Sequence, residues 1–139
     1  MEFEFPASPA HLGEVRRAVR AGLHGRVSEE DLDDLLLALN EATTNAVLHG
    51  SGGSRVEVSV RLAEGWAEMT VVDRGQQRPE PAWRDDEADE DAPTAISGRG
   101  LWLMSRLVDE VRLEQVKPGT RVTLRHRLSD PDLENGLTA

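Results

Sequence analysis

The sequence predicts an α/β sandwich of two layers, of the α+β kind, with a mixed, mostly antiparallel sheet and helices on one face. Three observations predict it. Residues 55–63, RVEVSVRLA, alternate strictly: Val56, Val58, Val60 and Leu62 fall on one face, Arg55, Glu57, Ser59 and Arg61 on the other. That is the pattern of a half-buried strand. WAEMTVVD, residues 66–73, returns after Glu64-Gly65 as the second arm of a hairpin. Ahead of this hairpin, two stretches repeat their apolar residues at helical spacing.

The elements follow in order. Phe3 and Phe5 alternate with Glu2 and Glu4, which predicts a short first strand. Ser8-Pro9 supplies an N-cap and a first-turn proline. Leu12, Val15, Val19 and Leu23 make one helical face, and Gly25 ends it. Ser28 with Asp31 resembles a capping box, Asp standing for the usual Glu, and opens a second helix that runs to Gly50. After the hairpin, residues 76–97 read as a long loop, with Pro79, Pro81 and Pro93. GRGLWLMSRLV, residues 98–108, reads as a short helix. Residues 109–116 and 120–128 form a last hairpin around KPGT. One domain over 1–128 is expected, with a polar, disordered tail over 129–139. Trp66 and Trp102 are expected in the core.

Composition narrows the function. The chain of 139 residues holds 26 acidic and 16 basic residues, a net charge of -10. That charge disfavours non-specific nucleic-acid binding and anionic membranes. The chain has no Cys, which excludes disulfides and thiolate metal sites. His11, His24, His49 and His126 show no zinc spacing. No signal peptide or long apolar run appears, so a cytoplasmic location is expected.

LLLALNEATTNAVLHG, residues 35–50, poses the main question. With Leu32 set at zero, and about 100° per residue, Leu35, Leu36, Leu39, Thr43 and Ala46 form one apolar stripe. Glu41 and Asn45 fall on the opposite side, flanked by Leu37, Ala38 and Leu48. The helix therefore reads as apolar on both sides, with a carboxylate and an amide one turn apart in the second strip. An exposed rim explains the same pair. Two further stretches bear on the choice. VVDRG ends an apolar strand in Asp73 and then Gly75; an Asx-type turn is the plain reading. SGRGL opens a helix with Gly98 and Gly100, either as a hinge or as backbone N–H groups aimed at an anion.

In this order and at these distances, the three stretches resemble the ATP site of the GHKL superfamily, the Bergerat fold. Glu41 and Asn45 look like its N box, Asp73-Arg74-Gly75 like its first glycine box, and Gly98-Arg99-Gly100-Leu101 like its second. GTRV, residues 119–122, matches the Gly-Thr of the late strand. LNEATTNAVLHG and GRGLWLM look most like the anti-sigma-factor serine kinase branch.

The resemblance implies roles. Asp73 would accept a hydrogen bond from the adenine amino group, with Gly75 and Thr120 beside the base. Asn45 would offer its amide oxygen to Mg²⁺. Gly98, Arg99, Gly100 and Leu101 would hold the phosphates of ATP. Glu41 would act as the base that orients an attacking hydroxyl. The acceptor would be a Ser or Thr of a STAS-domain anti-sigma-factor antagonist. The free kinase would hold a sigma factor, possible homodimer formation being part of the same resemblance.

Two features depart from the pattern. The first glycine box often reads D-x-G-x-G, and here Gln77 stands at the second glycine. Residues 76–97, matching the ATP lid, hold seven acids against Arg78 and Arg84, a net of -5. The alternative is therefore a nucleotide-binding or degenerate regulatory module that acts by protein contact alone. A histidine sensor kinase fits poorly, because HLGEV at His11 lacks the Pro of a phosphoacceptor box.

Overall fold

The computed structural model describes residues 1–49, 55–74, 98–116 and 119–129. Strand β1 spans Glu2–Pro6, and a 3₁₀ turn, Pro9–His11, leads into helix α1, Leu12–Leu23. Helix α2 is Glu29–His49, followed by β2, Arg55–Ala63, and β3, Trp66–Asp73. Helix α3 is Gly98–Leu107, then come β4, Glu110–Gln115, and β5, Thr120–Arg127.

The strands form one sheet in the order β1-β2-β3-β5-β4, and every pairing is antiparallel. This corrects the mixed sheet expected from sequence. Each strand enters from the end where its neighbour leaves, so no parallel crossover arises. The hairpin β2–β3 turns through Glu64 and Gly65 at φ 53° and 83°. Two successive left-handed residues match the twist of a tight hairpin.

One face of the sheet packs under the helices. Val56, Val58, Val60 and Leu62 meet Ala67, Met69 and Val71, then Val122 and Leu124, all buried. Leu32, Leu35, Leu36 and Leu39 cover them from α2, and Val15, Val19 and Leu23 from α1. Each fully buried aliphatic side chain contributes about 1.5–3 kcal/mol. This stripe of α2, predicted by its period, holds the candidate site against the sheet. Ser8 Oγ accepts from the Ala10 N–H at 3.3 Å and Pro9 opens the 3₁₀ turn, so the predicted cap is present.

The Ser28–Asp31 box is only half made. Ser28 Oγ accepts from the Asp31 N–H at 3.1 Å, but the Asp31 carboxylate turns elsewhere. Its Oδ2 accepts from the N–H and the hydroxyl of Ser129, both at 2.8 Å, and its Oδ1 lies 3.0 Å from His126 Nε2. A carboxylate facing Nε2 requires the hydrogen on that nitrogen. His126 Nδ1 lies 3.3 Å from Asp109 Oδ2 without hydrogen-bond alignment. Asp31 is 5% exposed. Burial pushes its pKa up, but the bonds from Ser129, His126 and Ser28 together outweigh that and hold it below the ordinary carboxylate value. Ser129, expected in a disordered tail, is therefore anchored to the first turn of α2.

Three other expectations need correction. Trp102 is 60% exposed, because α3 turns Gly100 and Met104 inward instead. Trp66 is half-buried on the outer face of the sheet, where strand alternation puts it; Arg125 and Arg127 lie 4.5 Å and 5.0 Å from its ring centroid. Leu37 and Leu48 are exposed, 55% and 66%, while Ala38 is buried. The second apolar strip of α2 is thus split: its Ala38 and Ala42 flank is covered, and its crest is not.

Candidate nucleotide site

Strand β3 alternates Ala67, Met69, Val71 and Asp73 toward the helices. Asp73 ends this inward series at 2% exposure. Directly opposite on β5 stands Thr120, 7% exposed and also facing inward. Burying a carboxylate is costly unless polar groups meet it, so Asp73 sets a demand for polar partners at this end of the sheet.

Gly119, immediately before Thr120, has φ +102°. A Cβ there would lie 1.5 Å from the Asp73 carbonyl oxygen. Only glycine lets the start of β5 press against the end of β3. The Gly-Thr pair is legible in the sequence, where the family resemblance gives a role to Thr120 alone. The signal for Gly119 was present in the turn KPGT, but what it makes room for is 46 residues away.

Helix α2 brings the second group. It packs against α1, α3 and β3. Arg16 Nη1 donates to Asn40 Oδ1 at 3.3 Å, which identifies the flank toward α1. The other flank carries Ala38 and Ala42, both buried, and then Asn45, half-buried. Asn45 Nδ2 is buried with no hydrogen-bond partner among the described residues. Glu41 stands half-buried one turn earlier. Thr43, on the sheet side, spends its hydroxyl on Leu39 O at 2.8 Å and is not available.

Helix α3 opens with Gly98-Arg99-Gly100-Leu101 and has no acidic residue in its first turn. Arg99 is exposed, Gly100 buried and Leu101 half-buried. The N–H groups of a first helical turn and the helix dipole make such a start favourable for anions. The helix with Glu41 and Asn45 thus packs both on the strand that ends in Asp73 and on the helix that opens at Gly98. Gly75, Gln77 and the acidic segment 76–97, with Trp83, lie outside the described residues, as does the side chain of His49.

The buried carboxylate, the opposed threonine, the unmet amide and the glycine-led helix fit a nucleotide and a divalent cation. Residues 5–126 match the histidine kinase-like ATPase domain family. The chain belongs to that family. Among relatives of this ATPase domain, it is similar to the serine-protein kinase RsbW of Bacillus licheniformis, 32% identical over 99% of this chain and 91% of that one. It is also similar to the crystal structure of the RsbU and RsbW domains of Rv1364c from Mycobacterium tuberculosis. There the TM-score is 0.67 and identity 27%, over 92% of this chain and 31% of that longer one. The histidine kinase domain of Erythrobacter litoralis EL346 shares the fold, at TM-score 0.57 and 22% identity over 91% of this chain and 63% of that one.

Proposed function

We propose that this chain is an ATP-dependent protein serine/threonine kinase and anti-sigma factor. It phosphorylates a STAS-domain anti-sigma-factor antagonist and, when not so engaged, holds a sigma factor. Residues 1–128 are the catalytic domain, working in the cytoplasm. The relatives named serine-protein kinase RsbW support this reading. The single observation that carries it is the buried Asp73 opposite Thr120 on the strand that packs against α2.

ATP with Mg²⁺ supplies the transferable γ-phosphoryl group and neutralises its charge. The chain's own residues do the rest. Asp73 accepts a hydrogen bond from the exocyclic amine of adenine; guanine, with a carbonyl there, is repelled. Thr120 and Gly75 lie beside the base. Asn45 would hold the cation through its amide oxygen, since a hard cation favours oxygen ligands. The N–H groups of Gly98, Arg99, Gly100 and Leu101 and the Arg99 guanidinium hold phosphate oxygens. Glu41 takes the proton of the acceptor hydroxyl as its oxygen bonds to the γ-phosphorus and the bond to the ADP oxygen breaks.

Labelled ATP mixed with this chain and a STAS-domain antagonist tests the reading. Label on a Ser or Thr of the antagonist is expected. Nucleotide binding with no transfer under any condition would leave the second reading, a regulatory module acting by contact. Gln77 in place of a glycine is the observation that favours it.

A further inference from the structure

Helix α3 has an outer face that the fold does not use. Arg99, given to the phosphates above, begins it, and Trp102 and Arg106, three and seven residues on, lie beyond the nucleotide site. All three are exposed, and the Arg106 guanidinium carbon lies 5.3 Å from the Trp102 ring centroid. The ten residues of α3, GRGLWLMSRL, include no acid, in a chain of net charge -10.

Most arginines in or beside the sheet behave differently. Arg55, Arg61, Arg74, Arg121 and Arg125 each have a carboxylate within 4.0 Å, whereas Arg112 and Arg127 have no such ion pair among the described residues. Among the described residues, no carboxylate lies that close to Arg99 or Arg106. The two tryptophans differ in the same way. Trp66 is half-buried beneath Arg125 and Arg127, and Arg125 is itself paired to Glu68 and Glu110. Trp102 is 60% exposed and, among the described residues, has one arginine over its ring. Trp and Arg are the residues most enriched where protein partners bind tightly, and guanidinium groups favour carboxylates.

We infer that the Trp102–Arg106 face of α3 docks the phosphoacceptor protein through an acidic patch next to its reactive Ser or Thr. The inference rests on the kinase reading above. The helix that would hold the phosphates at its N-terminus then also holds the acceptor along its length, about 15 Å at 1.5 Å per residue. The acceptor hydroxyl is kept near the γ-phosphate by contacts that do not touch ATP.

The test uses the full chain, Trp102→Ala and Arg106→Glu, with a STAS-domain antagonist as the probe. Affinity for the antagonist is measured by calorimetry without ATP, and transfer by steady-state kinetics. The inference expects each variant to weaken binding and raise the acceptor KM about tenfold or more, as hot-spot residues do. The kcat and the KM for ATP should stay within about twofold. Added salt should weaken wild-type binding more than Arg106→Glu binding. Wild-type binding that depends on Trp102 without transfer of phosphate would sink the kinase reading and keep the docking face. Transfer with an unchanged acceptor KM in both variants would sink the docking face alone. A shift in the KM for ATP instead, or in oligomeric state, would point to the chain's own acidic segment or a second copy as occupant, and overturn the inference. No binding of any STAS-domain protein would also overturn it.

Discussion

Asp73 and Thr120 stand directly opposite each other across the β3–β5 ladder, both buried and both facing the helices. A carboxylate and a hydroxyl thus share one end of an otherwise apolar sheet face. Asp73→Asn should replace an acceptor by an amide that can aim N–H groups at the adenine amine. Loss of a hydrogen bond to a charged group costs about 1.5–3 kcal/mol. ATP affinity should therefore fall about 10- to 100-fold, and preference for ATP over GTP should shrink with it. Calorimetry with both nucleotides checks this; unchanged discrimination would remove Asp73 from the base pocket.

Gly119 holds that pair together. Its φ of +102° and a Cβ position 1.5 Å from the Asp73 carbonyl oxygen forbid a side chain there. Gly119→Ala should destabilise the fold by about 1–3 kcal/mol, the range for a residue forced into a sparsely allowed backbone conformation. It should also weaken ATP binding, because relief of the clash moves the end of β3. Urea unfolding and calorimetry on one preparation report both effects. Full stability with full affinity would mean that the two strand ends separate freely.

Glu41 and Asn45 should separate by phenotype. Glu41→Ala should keep nucleotide and lose transfer by about 10²–10⁴-fold, the usual contribution of a positioned base. Asn45→Ala should abolish the Mg²⁺-dependent part of ATP affinity. It should not destabilise the apo protein, since it removes a buried polar atom that has no partner. Equal transfer by Glu41→Ala, or ATP binding indifferent to both Mg²⁺ and Asn45, would reassign the respective residue.

Acid should loosen the anchor between α2 and β5. The pKa of Asp31 is lowered in the folded protein, so its contribution is present above the unfolded value of about 3.9. It is lost as pH falls through the lower folded value. Asp31→Asn puts an N–H group among the donors Ser129 and His126, which should cost about 1–3 kcal/mol at pH 7. The variant's deficit should narrow toward pH 3. Urea midpoints between pH 7 and pH 3 measure it, and a deficit independent of pH would show that the charge of Asp31 does not matter.

The sequence by itself determined the elements. Alternation in residues 55–63 and 66–73 gave two strands, and the Leu32–Leu35–Leu39 repeat gave the buried stripe of α2. Such periods are set by backbone geometry within a few residues, which is why they are readable locally. The glycine-led start of α3 and the acid at the end of β3 were legible for the same reason. What each side chain meets was decided by tertiary structure. Asp31 turned from its own helix cap to Ser129, 98 residues away, because better donors arrived there. Trp102 stayed in solvent, although its helix is amphipathic, because Gly100 and Met104 took the inward side. Gly119 found its purpose in a carbonyl oxygen 46 residues earlier in the chain. Burial and pairing depend on which elements lie alongside, and periodicity along one segment carries no record of its neighbours.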